Sequence, residues 1–179
     1  MQSYTDFTES GLMISLPDGY SFRFQDLTKY IELKGQNLKE VDYCWWNDST
    51  KTFWLLEVRD YSHLTSAEKL PNNLLETLTN KVTDALLMLG AAWSNTNTGN
   101  SILSELPTIF QAFPKSPHKM KIVCVLKLLE HHKKVELGTL KTKFKNRLEG
   151  RIALFDLKHV TLTDHETAIQ MGIPIISVT

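Results

Sequence analysis

Asp42, Glu57 and Arg59 are the residues whose types and spacing point most directly to chemistry. Each interrupts a run of β-branched and aromatic residues, 40–46 and 52–60, where an unpaired charge is expensive. The polar stretch Asn47-Asp48-Ser49-Thr50-Lys51 lies between the runs, so together they read as a β-hairpin. Side chains alternate faces along a strand, which puts Glu57 and Arg59 on one face. With Asp48 facing Lys51, Asp42 lies directly across from Glu57. With Asn47 facing Thr50, it lies diagonal to Glu57 and still on the same face. Two carboxylates and a cation therefore converge at mid-sheet. A divalent metal would compensate such a site. So would a simple ion-pair cluster in which Arg59 neutralises one carboxylate.

The elements that must hold these residues follow from patterning. Leu12 to Leu16 and Tyr20 to Phe24 flank Pro17-Asp18-Gly19 and predict a first hairpin. Asp26 is expected to cap a short helix carrying Leu27, Tyr30 and Ile31, stopped by Gly35. Leu74, Leu75, Leu78, Val82, Leu86, Leu89 and Trp93 recur at three- and four-residue spacing, the strongest helix signal in the chain. Its polar face carries Glu76, Asn80, Lys81 and Asp84. Residues 95–100 read as a loop and 102–113 as a further helix, with a break at Pro114 and Pro117. Residues 120–129 form a nearly continuous apolar strand, the pattern of a sheet interior covered on both faces. His131-His132-Lys133-Lys134 reads as a solvated turn, and Leu137, Leu140, Phe144 and Leu148 as a helix ended by Gly150. A strand over 158–163, a short helix begun at Asp164 and a last apolar run over 173–178 complete the chain. Strands, a long helix and then another strand imply an α/β three-layer domain, with a mixed central sheet flanked by helices and all 179 residues in one domain.

Composition narrows the classes. A hydrophobic fraction of 42% and a charged fraction of 22% are ordinary for a globular chain. Cys44 and Cys124 lie in apolar strands and read as buried thiols. No apolar run approaches the ~20 residues of a membrane span, and the N-terminus lacks a signal-peptide pattern. The expectation is a cytoplasmic protein with no membrane partner. The net charge of zero is unevenly spread: residues 115–151 carry 11 Lys/Arg against 3 Asp/Glu, whereas residues 1–114 carry 8 against 14. Lys141, Lys143, Lys145 and Arg147 in the basic segment are candidate nucleic-acid contacts, set against a merely solvated helix face. No phosphate-cradling glycine loop is present, so nucleotide-driven translocation would need another subunit.

Residues 20–129 resemble the PD-(D/E)XK, or restriction-endonuclease-like, nucleases. Asp42 matches the first acid of that motif, and Glu57-Val58-Arg59 matches its acid-x-Lys with Arg in place of Lys. The phrase Leu55-Leu56-Glu57-Val58-Arg59-Asp60 is similar to that of small bacterial members. The resemblance implies a restriction-endonuclease-like core and metal-dependent phosphodiester hydrolysis on DNA, RNA being possible. Its setting would be bacterial restriction or phage defence, beside an ATPase, helicase or methyltransferase subunit. It implies Mg²⁺ or Mn²⁺ held by Asp42, Glu57 and the Val58 carbonyl, an oxygen set suited to these ions. Arg59 can hold a phosphate oxygen but stays protonated and is poor at activating water. Lys81 could supply the missing amine. Glu32 or Glu40 could add an acid, and His63 could contact the scissile phosphate. The alternative within the same resemblance is a catalytically silent subunit that binds nucleic acid or a partner protein. Trp45, Trp46, Trp54 and Trp93 read as core, with base stacking as the lesser expectation.

Overall fold

A computed structural model describes residues 2–112 and 119–178. The break expected at Pro114 and Pro117, and Lys115 of the basic segment, lie outside the described residues. Two sheets and the helices that flank the larger one build the fold. The five-stranded sheet runs β3 (Ser21–Phe22), β4 (Tyr43–Asn47), β5 (Thr52–Asp60), β6 (Met120–Lys127), β7 (His159–Asp164). Its first two pairings are antiparallel and its last two parallel, so the sheet is mixed. The second sheet is antiparallel, with β2 (Leu12–Pro17) between β1 (Tyr4–Glu9) and β8 (Ile175–Val178).

β5 lies at the centre and both of its faces are buried. Phe53 and Leu55 join one apolar cluster, with α2 (Leu74–Trp93), α3 (Asn97–Glu105), α5 (Leu137–Ala153) and α1 (Thr28–Lys34) on that side. Trp54, Leu56 and Val58 join the other, facing Leu12, Ile14 and Leu16 of β2 and Ala168 of α6 (His165–Gln170). The chain is therefore α/β with helices against the mixed sheet. The second face, however, is covered chiefly by the small sheet rather than by a second helical layer. Each fully buried large apolar side chain contributes roughly 1.5–3 kcal/mol, which is why β5 and β6 read as almost unbroken apolar runs.

Several expectations change. Leu12 to Leu16 and Tyr20 to Phe24 do not form a hairpin: β2 pairs with β1 and β8, and β3 pairs with β4. The true first hairpin turns at Ser10 and Gly11, both at positive φ (50° and 67°), as a two-residue hairpin turn requires. Asp26 does not cap α1. The carboxylate of Glu105, arriving from α3, accepts from the backbone N–H groups of Thr28 and Lys29 at 2.6 and 3.0 Å. Residues 97–100 are helical, because the Thr96 hydroxyl accepts from Gly99 N–H and starts α3 there; α3 ends at Glu105, and a 3₁₀ turn at Thr108–Phe110 follows. Gly150 does not end α5, which continues to Ala153.

His131 and His132 are not a solvated turn but part of α4 (Glu130–Val135). His132 is fully buried, and its ring nitrogens lie 2.9 Å from Glu136 Oε1 and 3.2 Å from the Thr65 carbonyl. Those two partners, which sequence spacing did not reveal, make an apolar-looking burial acceptable. Asp164 does cap α6, accepting from Thr167 N–H at 2.9 Å. Cys44 and Cys124 are buried free thiols, each pushed well above its ordinary pKa by burial. No helix among the described residues is long and apolar enough to cross a membrane.

Candidate functional site

Glu57 sits in the row Phe53-Leu55-Glu57 of β5, directly under α2. Its flanking neighbours in that row are core residues, and Glu57 itself is 1% exposed. The β4–β5 register runs from Asn47↔Thr52 to Tyr43↔Leu56. Extended by one pair it sets Asp42 across from Glu57, the first of the two arrangements considered, with Lys51 and Asp48 paired at 2.7 Å in the turn. Asp42 lies just before β4. Its Oδ2 accepts from Val58 N–H at 2.7 Å, replacing the ladder bond that the strand end no longer provides.

Two cations meet these acids. Lys81 extends from the flank of α2 and brings its Nζ to the sheet. Nζ lies 3.3 Å from Asp42 Oδ1 and 2.8 and 2.9 Å from the two Glu57 oxygens. Arg59, two residues beyond Glu57 on the same strand, reaches Glu57 Oε1 at 2.7 Å. It is the most exposed of the four, at 29%. Asp42, Glu57, Arg59 and Lys81 thus converge from three elements, as their phase along strand and helix requires.

Burial, and then the neighbouring Asp42 carboxylate, push Glu57 up to about 8, even though Lys81 and Arg59 oppose the shift. For Arg59, burial works downward, but Glu57 and Asp42 outweigh it and hold the guanidinium above its ordinary value. Tyr61, at the outer end of the row, is raised by burial and by Glu57, against Arg59. Replacing a buried cluster of this kind by apolar residues of similar volume is often neutral or stabilising. A strongly perturbed carboxyl with named charge partners is a marker of function.

The donor set suits a hard divalent ion. Mg²⁺ is commonly held by one or two carboxylates with water and phosphate oxygens completing its shell. Asp42, Glu57 and the Val58 carbonyl are the protein oxygens that could serve such an ion. No group of three or more His, Cys, Asp or Glu side chains able to share a metal exists among the described residues. Lys81 Nζ marks the point between the carboxylates where positive charge is favoured, so an entering ion would require that ammonium to shift.

Glu32 and Glu40 do not extend this set. Glu32 pairs with Lys29 at 2.7 Å, and Glu40 accepts from the Tyr30 hydroxyl. His63 is exposed and its ring lies 6.3 Å from that of Tyr61. Asp60 accepts from Ser62 N–H and Oγ and pairs with Lys127 at 3.5 Å, which gives it a local role. Lys141, Lys143, Lys145 and Arg147 are all exposed on α5. At 100° per residue Lys141 and Lys145 lie on one flank of that helix and Lys143 and Arg147 on the other. Trp45 and Trp54 are core, stacked at 5.8 Å, while Trp46 and Trp93 are half-buried.

Two supporting residues escaped the sequence reading. Arg23 Nε donates to the Asp42 carbonyl at 3.3 Å, and its NH2 pairs with Glu9 at 3.2 Å while the guanidinium covers the Tyr43 ring at 5.0 Å. Ser10 Oγ donates to the Val58 carbonyl at 3.2 Å. Both contacts join the small sheet or its neighbour to the site. Missing the β1–β2 hairpin hid them. No known protein family, curated protein or solved structure matches the chain.

Proposed function

We propose that this chain is a metal-dependent phosphodiester hydrolase of the restriction-endonuclease-like kind, acting on DNA. The observation that carries the reading is that Lys81 Nζ, from α2, lies within 3.3 Å of both Asp42, just before β4, and Glu57, on β5, on an otherwise apolar sheet face. The residue pattern of an early strand acid followed by acid-x-basic on the next strand supports the same reading.

In this proposal Asp42, Glu57 and the Val58 carbonyl hold Mg²⁺ or Mn²⁺. Such an ion, when bound, stabilises charge on the phosphoryl oxygens and lowers the pKa of a coordinated water. Lys81 takes the place of the lysine that Arg59 replaces: its compact ammonium can reach water or a non-bridging oxygen and can exchange a proton. Arg59, at the rim, holds a phosphate oxygen by its fixed charge. Because Glu57 is raised to about 8, the site binds its ion better as pH rises through that value and the competing proton leaves. The test is cleavage of supercoiled plasmid with Mn²⁺ at pH 8.5. Wild type should nick it and Lys81→Ala should not, while Arg59→Lys should retain activity. Cleavage that survives Lys81→Ala would refute the role given to Lys81.

A second reading, a silent subunit that binds nucleic acid or a partner protein, is favoured by one feature. Arg59 and Lys81 already lie within ion-pair distance of the two acids. In that case no variant cleaves on any substrate, even where Mn²⁺ binds.

A further inference from the structure

The end of the five-stranded sheet away from Asp42 and Glu57 carries two neighbouring depressions. One, of about 340 Å³, lies where β6 and β7 begin and is lined by Lys121, Lys145, Lys158, His159, Thr161 and Met171 among others. Its four basic side chains come from β6, α5, β7 and the residue before β7, so the fold gathers what the sequence spreads over some forty positions. None of the four takes part in an ion pair among the described residues. The other, of about 300 Å³, lies by the β4–β5 turn, with Tyr4, Tyr20, Trp45 and Trp46 in its wall beside Gly172 and Pro174.

The two are contiguous through one chain segment: Met171 borders the basic groove and Gly172 and Pro174 border the aromatic cleft. A buried row joins them as well. Lys121 Nζ lies 4.7 Å from the centre of the Trp54 ring, which stacks on Trp45. Tyr4 is 59% exposed, and Tyr20 and Trp46 are half-buried, so ring faces are available on this side.

Lysines without carboxylate partners, beside partly exposed aromatic rings, are what a single nucleic-acid strand requires. Its phosphates take the charges and its unstacked bases take the ring faces, whereas a duplex hides its bases from such rings. We propose that this edge binds single-stranded nucleic acid, with phosphates along Lys121, Lys145, Lys158 and His159 and bases against Tyr4, Tyr20 and Trp46. The inference rests on the nucleic-acid part of the reading above but uses none of its catalytic residues. Lys121 in the groove and Cys124, which pairs with Glu57 across β5 and β6, are three residue steps apart, about 10 Å along the strand.

The test is fluorescence anisotropy of the full chain in EDTA, with a labelled oligothymidylate of about 20 nucleotides and with a duplex of equal length. The single strand should bind tighter, with affinity falling steeply as salt rises. Lys145→Gln with Lys158→Gln should weaken it about ten-fold and flatten the salt slope. Tyr20→Ala or Trp46→Ala should weaken it about five-fold. If those variants fail to fold, exposed Tyr4→Ala supplies the same reading. Lys143→Gln with Arg147→Gln, on the other flank of α5, should bind as wild type. Equal duplex binding, or unchanged affinity in either groove or cleft variants, overturns the proposal. Glu57→Gln should keep binding while losing cleavage. Cleavage by a protein whose groove variants bind normally would sink this inference and leave the hydrolase reading standing.

Discussion

The two ends of the five-stranded sheet hold charge in opposite ways. At the end where β5 leaves the core, Asp42, Glu57, Lys81 and Arg59 are drawn inward and satisfy one another at 2.7–3.3 Å. Where β6 and β7 begin, Lys121, Lys145, Lys158 and His159 surround a groove with no carboxylate partner among the described residues. The first arrangement buries titratable groups and holds them in fixed geometry. The second costs the fold almost nothing, because solvent carries the charges until an anion arrives. Buried and paired charge thus marks where chemistry can be positioned, and exposed unpaired charge marks where a ligand can be gathered.

Removing one member of the inner set should give the largest effect. Lys81→Met leaves Asp42 and Glu57 facing each other with Arg59 alone, and should cost about 3–5 kcal/mol in chemical denaturation. Millimolar Mn²⁺ should restore part of that loss by filling the place of the ammonium. An unchanged denaturation midpoint would erase the contrast between the two ends.

The next effect is a pH dependence with a defined sign. Native Glu57 titrates near 8, above the ordinary carboxyl value of 4.5, so between those values the native state binds more protons than the unfolded one. Stability should therefore fall as pH rises through that window and level off above it. Glu57→Gln should flatten this slope, which melts from pH 5 to 9 would display. A wild-type curve that rises across the same range would show that the ion pairs, not burial, govern Glu57.

Asp164 sharpens the comparison as a carboxylate explained by folding alone. It caps α6 through Thr167, and Asp164→Ala should cost about 1 kcal/mol with no change in metal response. Smallest of all, Lys145→Gln with Lys158→Gln should leave the denaturation midpoint unmoved while weakening nucleic-acid binding. A clear destabilisation there would mean that the groove lysines serve the fold after all.

How much of this was legible in the sequence divides along the range of the interaction. The limits of β5 and α2, and the shared face of Asp42, Glu57 and Arg59, follow from periodicity, which is local. Lys81 was reachable because it lies on the flank of a strongly periodic helix, one turn from Leu78. The β1–β2 hairpin was not, since Ser10-Gly11 is a weak turn signal beside Pro17-Asp18-Gly19. That second turn does form, with Tyr20 N–H donating to the Pro17 carbonyl at 3.1 Å, but it hands the chain from one sheet to the other. His132 and Glu105 were illegible for a related reason. Their partners, Thr65 and the start of α1, lie 67 and 76–77 positions away, and no local pattern encodes such a contact.

The central claim is that Asp42 and Glu57 form a site for a divalent ion rather than a self-contained ion-pair cluster. Calorimetric titration of Mn²⁺ into wild type and Glu57→Gln at pH 8.5, above the Glu57 titration, tests it most directly. The account predicts saturable binding of one ion by wild type, lost in Glu57→Gln while that variant keeps its far-ultraviolet circular dichroism. Wild-type protein that takes up no Mn²⁺ at millimolar concentration, or Glu57→Gln that binds it equally well, would contradict it.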